Sequence, residues 1–472
     1  MRESRAAVEE VLRSGAAVYG INTGFGKLSD VRIPDDALVH LQENLVRSHC
    51  CGLGLPLTLE EVRVMILLRA NVLAIGCSGA RVEVAEALLD LLRQDVIPVV
   101  PSQGSVGASG DLAPLAHLAL TLLGEGEAFF NGERMTSAQA LQRAGLRPLQ
   151  LQAKEGLALL NGTQAMTAVG GISLVRAQRV VELADVAGAM TLEALLGTPA
   201  AFDPRIHELR PHAGQSASAA RLRSLIEGSE IRESHRYSDP RVQDAYSLRC
   251  MPQVHGAVRD ALAYATRTLE IETGSATDNP LVLKNSEGGF DIVSGGNFHG
   301  APVAAALDFA TLALTDLMGI AERRVDRMVN PDLSEGLPPF LTREAGVGSG
   351  FMIAHVTVAA LLNEGRSLSF PASVDNTPTS GGKEDHVSMG MTSALKLRRV
   401  VANAEYVVAI ELMSAAQGLD YRLPLRPLPA LQRAKAMVRE IVPPLERDRV
   451  LATDIEALAA HIREGKLDEL LR

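Results

Sequence analysis

Two textures of hydrophobic patterning divide the chain. From residue 1 to about 155, short runs with apolar residues at helical spacing are cut by turn-forming clusters: Asn22-Thr23-Gly24, Ile33-Pro34-Asp35-Asp36, Gly52-Leu53-Gly54, Gly76-Cys77-Ser78-Gly79 and Asn131-Gly132. From about Asn161 the segments lengthen. Residues 161–197, 245–273, 299–329, 349–366 and 384–418 read as helices rich in Ala, Leu and Val, with apolar residues on more than one stripe. A helix that is apolar most of the way round is buried by its neighbours. The 299–329 segment would run about 45 Å at 1.5 Å per residue before Asn330-Pro331 stops it, and rods of that length pack best as a bundle. Residues 201–240 differ: polar and weakly patterned, they read as a long connection of the kind that lids a site or wraps a neighbour. The pattern predicts an all-α molecule, with a loop-bearing N-terminal part over 1–160 and a long-helix bundle and C-terminal helical part over 161–472.

Composition narrows the class. A chain of 472 residues can bury one large core or two closely packed parts. Only 3% of residues are aromatic while 47% are hydrophobic, so small Ala and Gly side chains let long helices approach closely. A net charge of -10 without a basic cluster argues against nucleic acid and against an anionic membrane surface. Charges such as Asp308 and Glu411 interrupt the apolar stretches at intervals shorter than a membrane span needs. Cys50, Cys51, Cys77 and Cys250 show no metal-ligand spacing, and no apolar signal segment opens the chain. The expectation is a soluble cytoplasmic protein with free thiols and no metal, whose partner is a small molecule or another copy of itself.

The candidate chemistry lies in Ala108-Ser109-Gly110, within Gly104-Ser105-Val106-Gly107-Ala108-Ser109-Gly110-Asp111-Leu112-Ala113-Pro114-Leu115. If the Gly110 amide nitrogen attacks the Ala108 carbonyl and two waters leave, Ser109 becomes an exocyclic methylidene on an imidazolone ring. That ring is an electrophile able to accept an amine, which no ordinary side chain supplies. Taken alone, such a Gly/Ser stretch is usually a flexible loop. Here Pro98-Val99-Val100-Pro101 precedes it and an apolar run from Leu112 to Leu123 follows, which would hold the loop against a core.

Further motifs stand in order along the chain: Tyr19-Gly20-Ile21-Asn22-Thr23-Gly24-Phe25-Gly26, Ser48-His49, Leu160-Asn161-Gly162-Thr163, Gln243-Asp244-Ala245-Tyr246-Ser247-Leu248-Arg249, Gly296-Asn297-Phe298-His299 and Glu384-Asp385-His386-Val387-Ser388-Met389. With the Ala-Ser-Gly loop, they make the chain resemble the histidine ammonia-lyase branch of the aromatic amino acid ammonia-lyases. The resemblance implies an all-helical fold of the fumarase/aspartase type. It implies a methylidene-imidazolone formed autocatalytically from Ala108, Ser109 and Gly110 with no external cofactor. It also implies a homotetramer whose active sites draw on three chains.

The residues carry their own readings beside that resemblance. Tyr19 precedes a Gly-rich turn and reads locally as a half-buried loop tyrosine; the motif match makes it the base that removes the β-proton, which a nearby positive field would help. Tyr246 is a second phenol, for ring formation or for holding the adduct. Gln243, Tyr246 and Arg249 at i, i+3 and i+6 could share a polar helix face, while the planar fork of Arg249 suits an α-carboxylate. Asn161 reads locally as the N-cap of the long helix that follows; by resemblance it contacts ring and substrate. Phe298 reads as core by composition and, by resemblance, as a residue stacked near the imidazolone. Asp111 reads as a charge at a helix start, and its adjacency to the tripeptide suggests a part in cyclisation.

His49 and Glu384 select the substrate in this reading. An imidazole wants a hydrogen-bond partner and a carboxylate is the strongest acceptor available, although Glu384 also reads as an acid in a helix first turn and His49 as a structural histidine. L-histidine is the expected substrate, with trans-urocanate and ammonia as products. The alternatives are a phenylalanine or tyrosine ammonia-lyase or aminomutase, an inactive helical assembly protein of the same fold, and a succinyl-type lyase without the ring. Two departures from the family pattern stand out. Lys383 replaces the usual glutamine after Gly381-Gly382, and helical geometry would turn it away from the site. Only eighteen residues precede Tyr19, a shorter lead-in than relatives have.

Overall fold

The computed structural model describes residues 1–471. It is mostly helical, 61% helix against 7% strand, and divides into two compact units. The first unit comprises Met1–Ile172, Thr266–Asp308 and Pro371–Leu395; the second comprises Ser173–Ala265, Phe309–Phe370 and the chain from Lys396 onward. The expected parts, 1–160 and 161–472, are contiguous; the observed units are discontinuous, because two later segments return to the unit that holds the N-terminus.

The first unit frames the Ala-Ser-Gly loop. Strand Pro101–Gln103 pairs antiparallel with Leu53–Pro56 and feeds directly into the loop. Helix Leu112–Leu122 leaves the loop with eight of its residues buried, so both ends of the segment are anchored in the core. Small antiparallel ribbons, Val96–Pro98 with Glu127–Phe130 and Glu133–Thr136, and Leu281–Lys284 with Phe290–Val293, complete the scaffold. Helix Leu59–Ile75 has a full capping box: the Thr58 hydroxyl accepts from the Glu61 amide at 3.2 Å and the Glu61 carboxylate accepts from the Thr58 amide at 2.8 Å. Such a cap satisfies two N–H groups that would otherwise be left without partners.

The long elements match the expected ones to within six residues at either end: Gln164–Ala194, Met251–Thr273, Ala301–Val329, Met352–Leu368 and Gly390–Asp420. Ala301–Val329 is long and apolar enough to cross a membrane, but 72% of its most apolar window is buried within the protein. The expected connection over 201–240 is instead largely helical: Pro204–Glu208, Ala213–Ile226 and Glu230–His235 follow a turn of 3-10 helix at Pro199–Phe202. Its polar texture comes partly from capping residues, since Thr198, Asp203 and Ser229 each accept a backbone N–H at a helix start. The four cysteines are free thiols.

Within the second unit, a buried polar chain ties four helices together. Asp185 Oδ1 accepts from His255 Nδ1 at 2.7 Å, His255 Nε2 accepts from Arg324 Nη1 at 3.1 Å, and Arg324 makes a two-point pair with Glu411 at 2.5 and 2.8 Å. All four side chains are fully buried. Arg324 can only donate, so this chain fixes His255 as the neutral Nδ1–H tautomer.

Candidate functional site

The Ala-Ser-Gly loop is gripped from two directions. The Asp111 amide donates to the Gly162 carbonyl at 2.7 Å, in a parallel bridge between Gly110 and Gly162. From the other side, the Met389 amide donates to Val106 O at 2.9 Å and the Ser388 hydroxyl to Gly107 O at 3.3 Å. Gly110 has φ +76°, and a Cβ there would overlap the Gly162 carbonyl, so only glycine fits. Ala108 is buried and Ser109 half-buried. A tightly bent tripeptide with glycine at its third position fits the geometry that cyclisation requires.

Asp111 lies at the start of helix Leu112–Leu122 but does not cap it. Its fully buried carboxylate accepts from the Met166 amide at 2.7 Å and from the Ser105 hydroxyl at 3.1 Å. The charge expected at its own helix is therefore spent on the first turn of the Gln164–Ala194 helix. Burial pushes this carboxyl up to about 7, against the pull of those hydrogen bonds. The residue adjoins the tripeptide in sequence, while its carboxylate is bonded to Met166 and Ser105.

A cavity of about 520 Å³ opens on the loop, lined by Tyr19, Ala108, Ser109, Phe298, Glu384, Lys383 and the two unassigned histidines His299 and His386, among others. Glu384 accepts from the Ser109 hydroxyl at 3.1 Å and from Thr379 at 2.7 Å. Glu384 does not lie in a helix first turn. Residues 384–389 are non-helical, paired through a bridge between Thr379 and Glu384, and the helix begins only at Gly390. Lys383 also departs from expectation: without helical geometry to turn it away, it lines the same cavity as Glu384. His299 and His386 lay inside quoted motifs and could have been picked out there. Their rings stack with centroids 5.8 Å apart, and His299 Nε2 donates to His386 O at 3.2 Å.

Tyr19 sits on this wall half-buried. Burial raises its phenol above the ordinary value; the Gly26 backbone N–H pulls it down, and Glu384 pushes it further up. The positive field expected to favour its ionisation is thus opposed by the Glu384 carboxylate. His49, at the end of helix Leu38–His49, is half-buried; its Nδ1 donates to Leu45 O at 2.8 Å, which leaves Nε2 as the acceptor. Burial holds this imidazole below its ordinary value, partly offset by the Leu45 carbonyl and by Glu384.

Asn161 is not the N-cap of the long helix, which starts at Gln164. It is the C-cap of helix Glu155–Leu160, and its buried Oδ1 has no hydrogen-bond partner. A buried acceptor without a donor is costly, so this atom is available to a ligand. Gln243, Tyr246 and Arg249 lie in the second unit and none lines the cavity. Gln243 precedes the short helix Tyr246–Arg249 rather than sharing its face. Tyr246 is 71% exposed, with the Arg249 guanidinium 4.5 Å from its ring centre. Among the described residues no cluster with metal-ligand character occurs.

The chain is similar to known proteins over nearly its whole length. The chain is 57% identical over 472 residues to a histidine ammonia-lyase of Stigmatella aurantiaca, covering 100% of the chain and 92% of that protein. The crystal structure of histidine ammonia-lyase from Trypanosoma cruzi superposes with a TM-score of 0.91 at 44% identity, covering 100% of the chain and 88% of the other. A tyrosine aminomutase from Streptomyces globisporus gives 0.92 at 38% identity, covering 99% and 91%. The family model for aromatic amino acid lyases matches residues 1–440, and the chain belongs to that family.

Proposed function

We propose that the protein is a carbon–nitrogen lyase that eliminates ammonia from L-histidine to give trans-urocanate, the first step of histidine degradation. The observation that carries this reading is the placement of the Glu384 carboxylate in one cavity with the bent Ala108-Ser109-Gly110 loop. The cavity volume is in the range of small-ligand sites. A site that offers a carboxylate to a ring N–H favours imidazole over a phenyl ring, which has no N–H to donate.

Ring closure balances as follows. Gly110 N bonds to Ala108 C, whose oxygen leaves as water with the hydrogens of the Gly110 and Ser109 amides. Ser109 then loses its hydroxyl and its α-hydrogen as a second water. In this scheme Asp111, next in sequence to the tripeptide, relays those protons. The resulting methylidene-imidazolone supplies the electrophile that makes the amine a leaving group.

The chain's own residues do the rest. Tyr19, as phenolate, removes the β-proton. Glu384 accepts the imidazole N–H, with His49 beside it; Asn161 and Phe298 contact the reacting end. Arg249 binds the α-carboxylate, with Gln243 and Tyr246 near it. Because these last three belong to the second unit and do not line the cavity, the reading includes a cytoplasmic homotetramer with sites shared between chains.

Two measurements test this. Purified protein given L-histidine should produce urocanate, followed by its ultraviolet absorbance, and phenylalanine and tyrosine assayed in parallel should be far poorer substrates. Intact mass should fall short of the sequence mass by two waters. Turnover of tyrosine or phenylalanine in preference to histidine would overturn the substrate, and an undehydrated mass in an active protein would overturn the ring.

A further inference from the structure

Arg69 is a buried cation that this reaction scheme does not use. It projects from helix Leu59–Ile75 and is 0% exposed. Its Nη1 donates to the Asn161 carbonyl at 2.5 Å and to Gln164 Oε1 at 3.1 Å, while Nε and Nη2 have no partner. Burial lowers the guanidinium to about 10, opposed by the Asp278 carboxylate. That carboxylate is already paired with the equally buried Lys154 at 3.2 Å. Two buried cations therefore share one anion. A guanidinium left with unpaired N–H groups in the core is unfavourable for stability, so its retention calls for another reason.

Its contacts supply one. The two acceptors of Nη1 flank Gly162, the residue whose carbonyl takes the Asp111 amide and so holds the cyclising loop. Gly162 has no room to yield: a Cβ there would lie 2.8 Å from Arg69 Nη1 and would overlap Thr277 O. Gln164 is itself fixed, donating to the Thr277 hydroxyl at 2.6 Å. Two residues on, Met166 N meets the Asp111 carboxylate. Arg69 thus bridges the main chain at 161 to the side chain at 164.

We propose that Arg69 is a positioning residue for ring closure: by clamping residues 161–164 it fixes Gly162, and through Gly162 the bend that brings the Gly110 nitrogen toward the Ala108 carbonyl. This rests on the reading that the tripeptide cyclises. An intramolecular attack depends steeply on such placement, and small displacements slow it by on the order of a hundredfold.

The test compares Arg69→Met and Arg69→Lys with wild type, using intact mass under denaturing conditions, circular dichroism and elution volume. Wild type must first show the loss of two waters; if it does not, the ring itself is refuted rather than the role of Arg69. Arg69→Met is expected to fold and elute as wild type does while carrying mainly the uncyclised mass. Arg69→Lys, which keeps one donor for the Asn161 carbonyl, should recover much of the dehydrated form. Complete dehydration of Arg69→Met would overturn the proposal. Should Arg69→Met not fold, Gln164→Leu removes only the side-chain half of the clamp and is read in the same way: delayed dehydration supports the role and full, prompt dehydration rejects it.

Discussion

At the scale of single residues, Tyr19 shares its cavity with two opposite charges, Glu384, which acts on its phenol, and Lys383. In the proposed scheme Tyr19 is a base that works only once ionised, and burial with the Glu384 carboxylate raises its phenol, so activity should climb with pH on the alkaline side. Removing the negative charge in Glu384→Gln should move that limb to lower pH for whatever activity remains. Removing the positive charge in Lys383→Gln should move it to higher pH. Profiles of kcat/KM against pH for the two variants decide this: shifts of the same sign would dismiss the charge argument, and an unmoved Lys383→Gln profile would mean that its ammonium does not reach the phenol. Glu384→Gln should also lose histidine turnover far more than Lys383→Gln does, because in the proposed scheme only Glu384 reads the imidazole. Intact histidine turnover in Glu384→Gln would remove the basis for the substrate assignment.

At the scale of elements, the site depends on close approach between two backbone segments. Gly162 has φ +148°, and a side chain there would meet Thr277 O, Gln164 and Arg69. Gly162→Ala is expected to cost stability on the order of 1–3 kcal/mol from backbone strain, with more from the overlap, and to impair dehydration of the tripeptide. Thermal melts and intact mass check both, and a fully dehydrated variant as stable as wild type would show that the bridge to Gly110 is incidental. The sequence placed this bend correctly through its glycines and its flanking apolar runs. It misjudged residues 384–389 and 201–240. In the first, a local pairing of Thr379 with Glu384 and the contacts of Ser388 and Met389 with the loop outcompete helix formation. In the second, short capped helices mimic a polar connection, because a cap residue is polar for a purely local reason.

At the scale of the whole molecule, two properties exceed any one site. If Arg249 serves a cavity in another chain, Ser109→Ala and Arg249→Lys subunits, each nearly inactive alone, should regain activity when co-assembled, since some mixed cavities contain both intact residues. Alone, Arg249→Lys should lose about 2–4 kcal/mol of transition-state stabilisation, on the scale of breaking a buried charged pair. Failure of the mixture to exceed its parents would reject shared sites. The second property is acid lability of the buried chain Asp185-His255-Arg324-Glu411. Burial holds His255 below its ordinary 6.5, although Asp185 works the other way. As pH falls below about 6.5, the unfolded chain takes up a proton that the folded chain refuses, so this group's contribution to stability falls. Asp111 and Glu193, raised by burial to about 7, act in the opposite sense, because their folded forms keep protons that the unfolded chain releases. The informative quantity is therefore the melting-temperature difference between wild type and His255→Gln. It should shrink from about pH 7 to about pH 5, and a constant difference would show that His255 does not titrate with unfolding. The sequence by itself determined the long buried helices, through apolar residues that follow a local period. It also determined the Ala-Ser-Gly loop and the motif residues, because bond chemistry and residue type are written in the chain. Only tertiary structure decided that Lys383 faces the cavity, that Asp111 serves a helix other than its own, and that Arg69 clamps Gly162. Each depends on which distant segment lies within hydrogen-bonding reach, and contacts across tens to hundreds of residues leave no local periodicity to read.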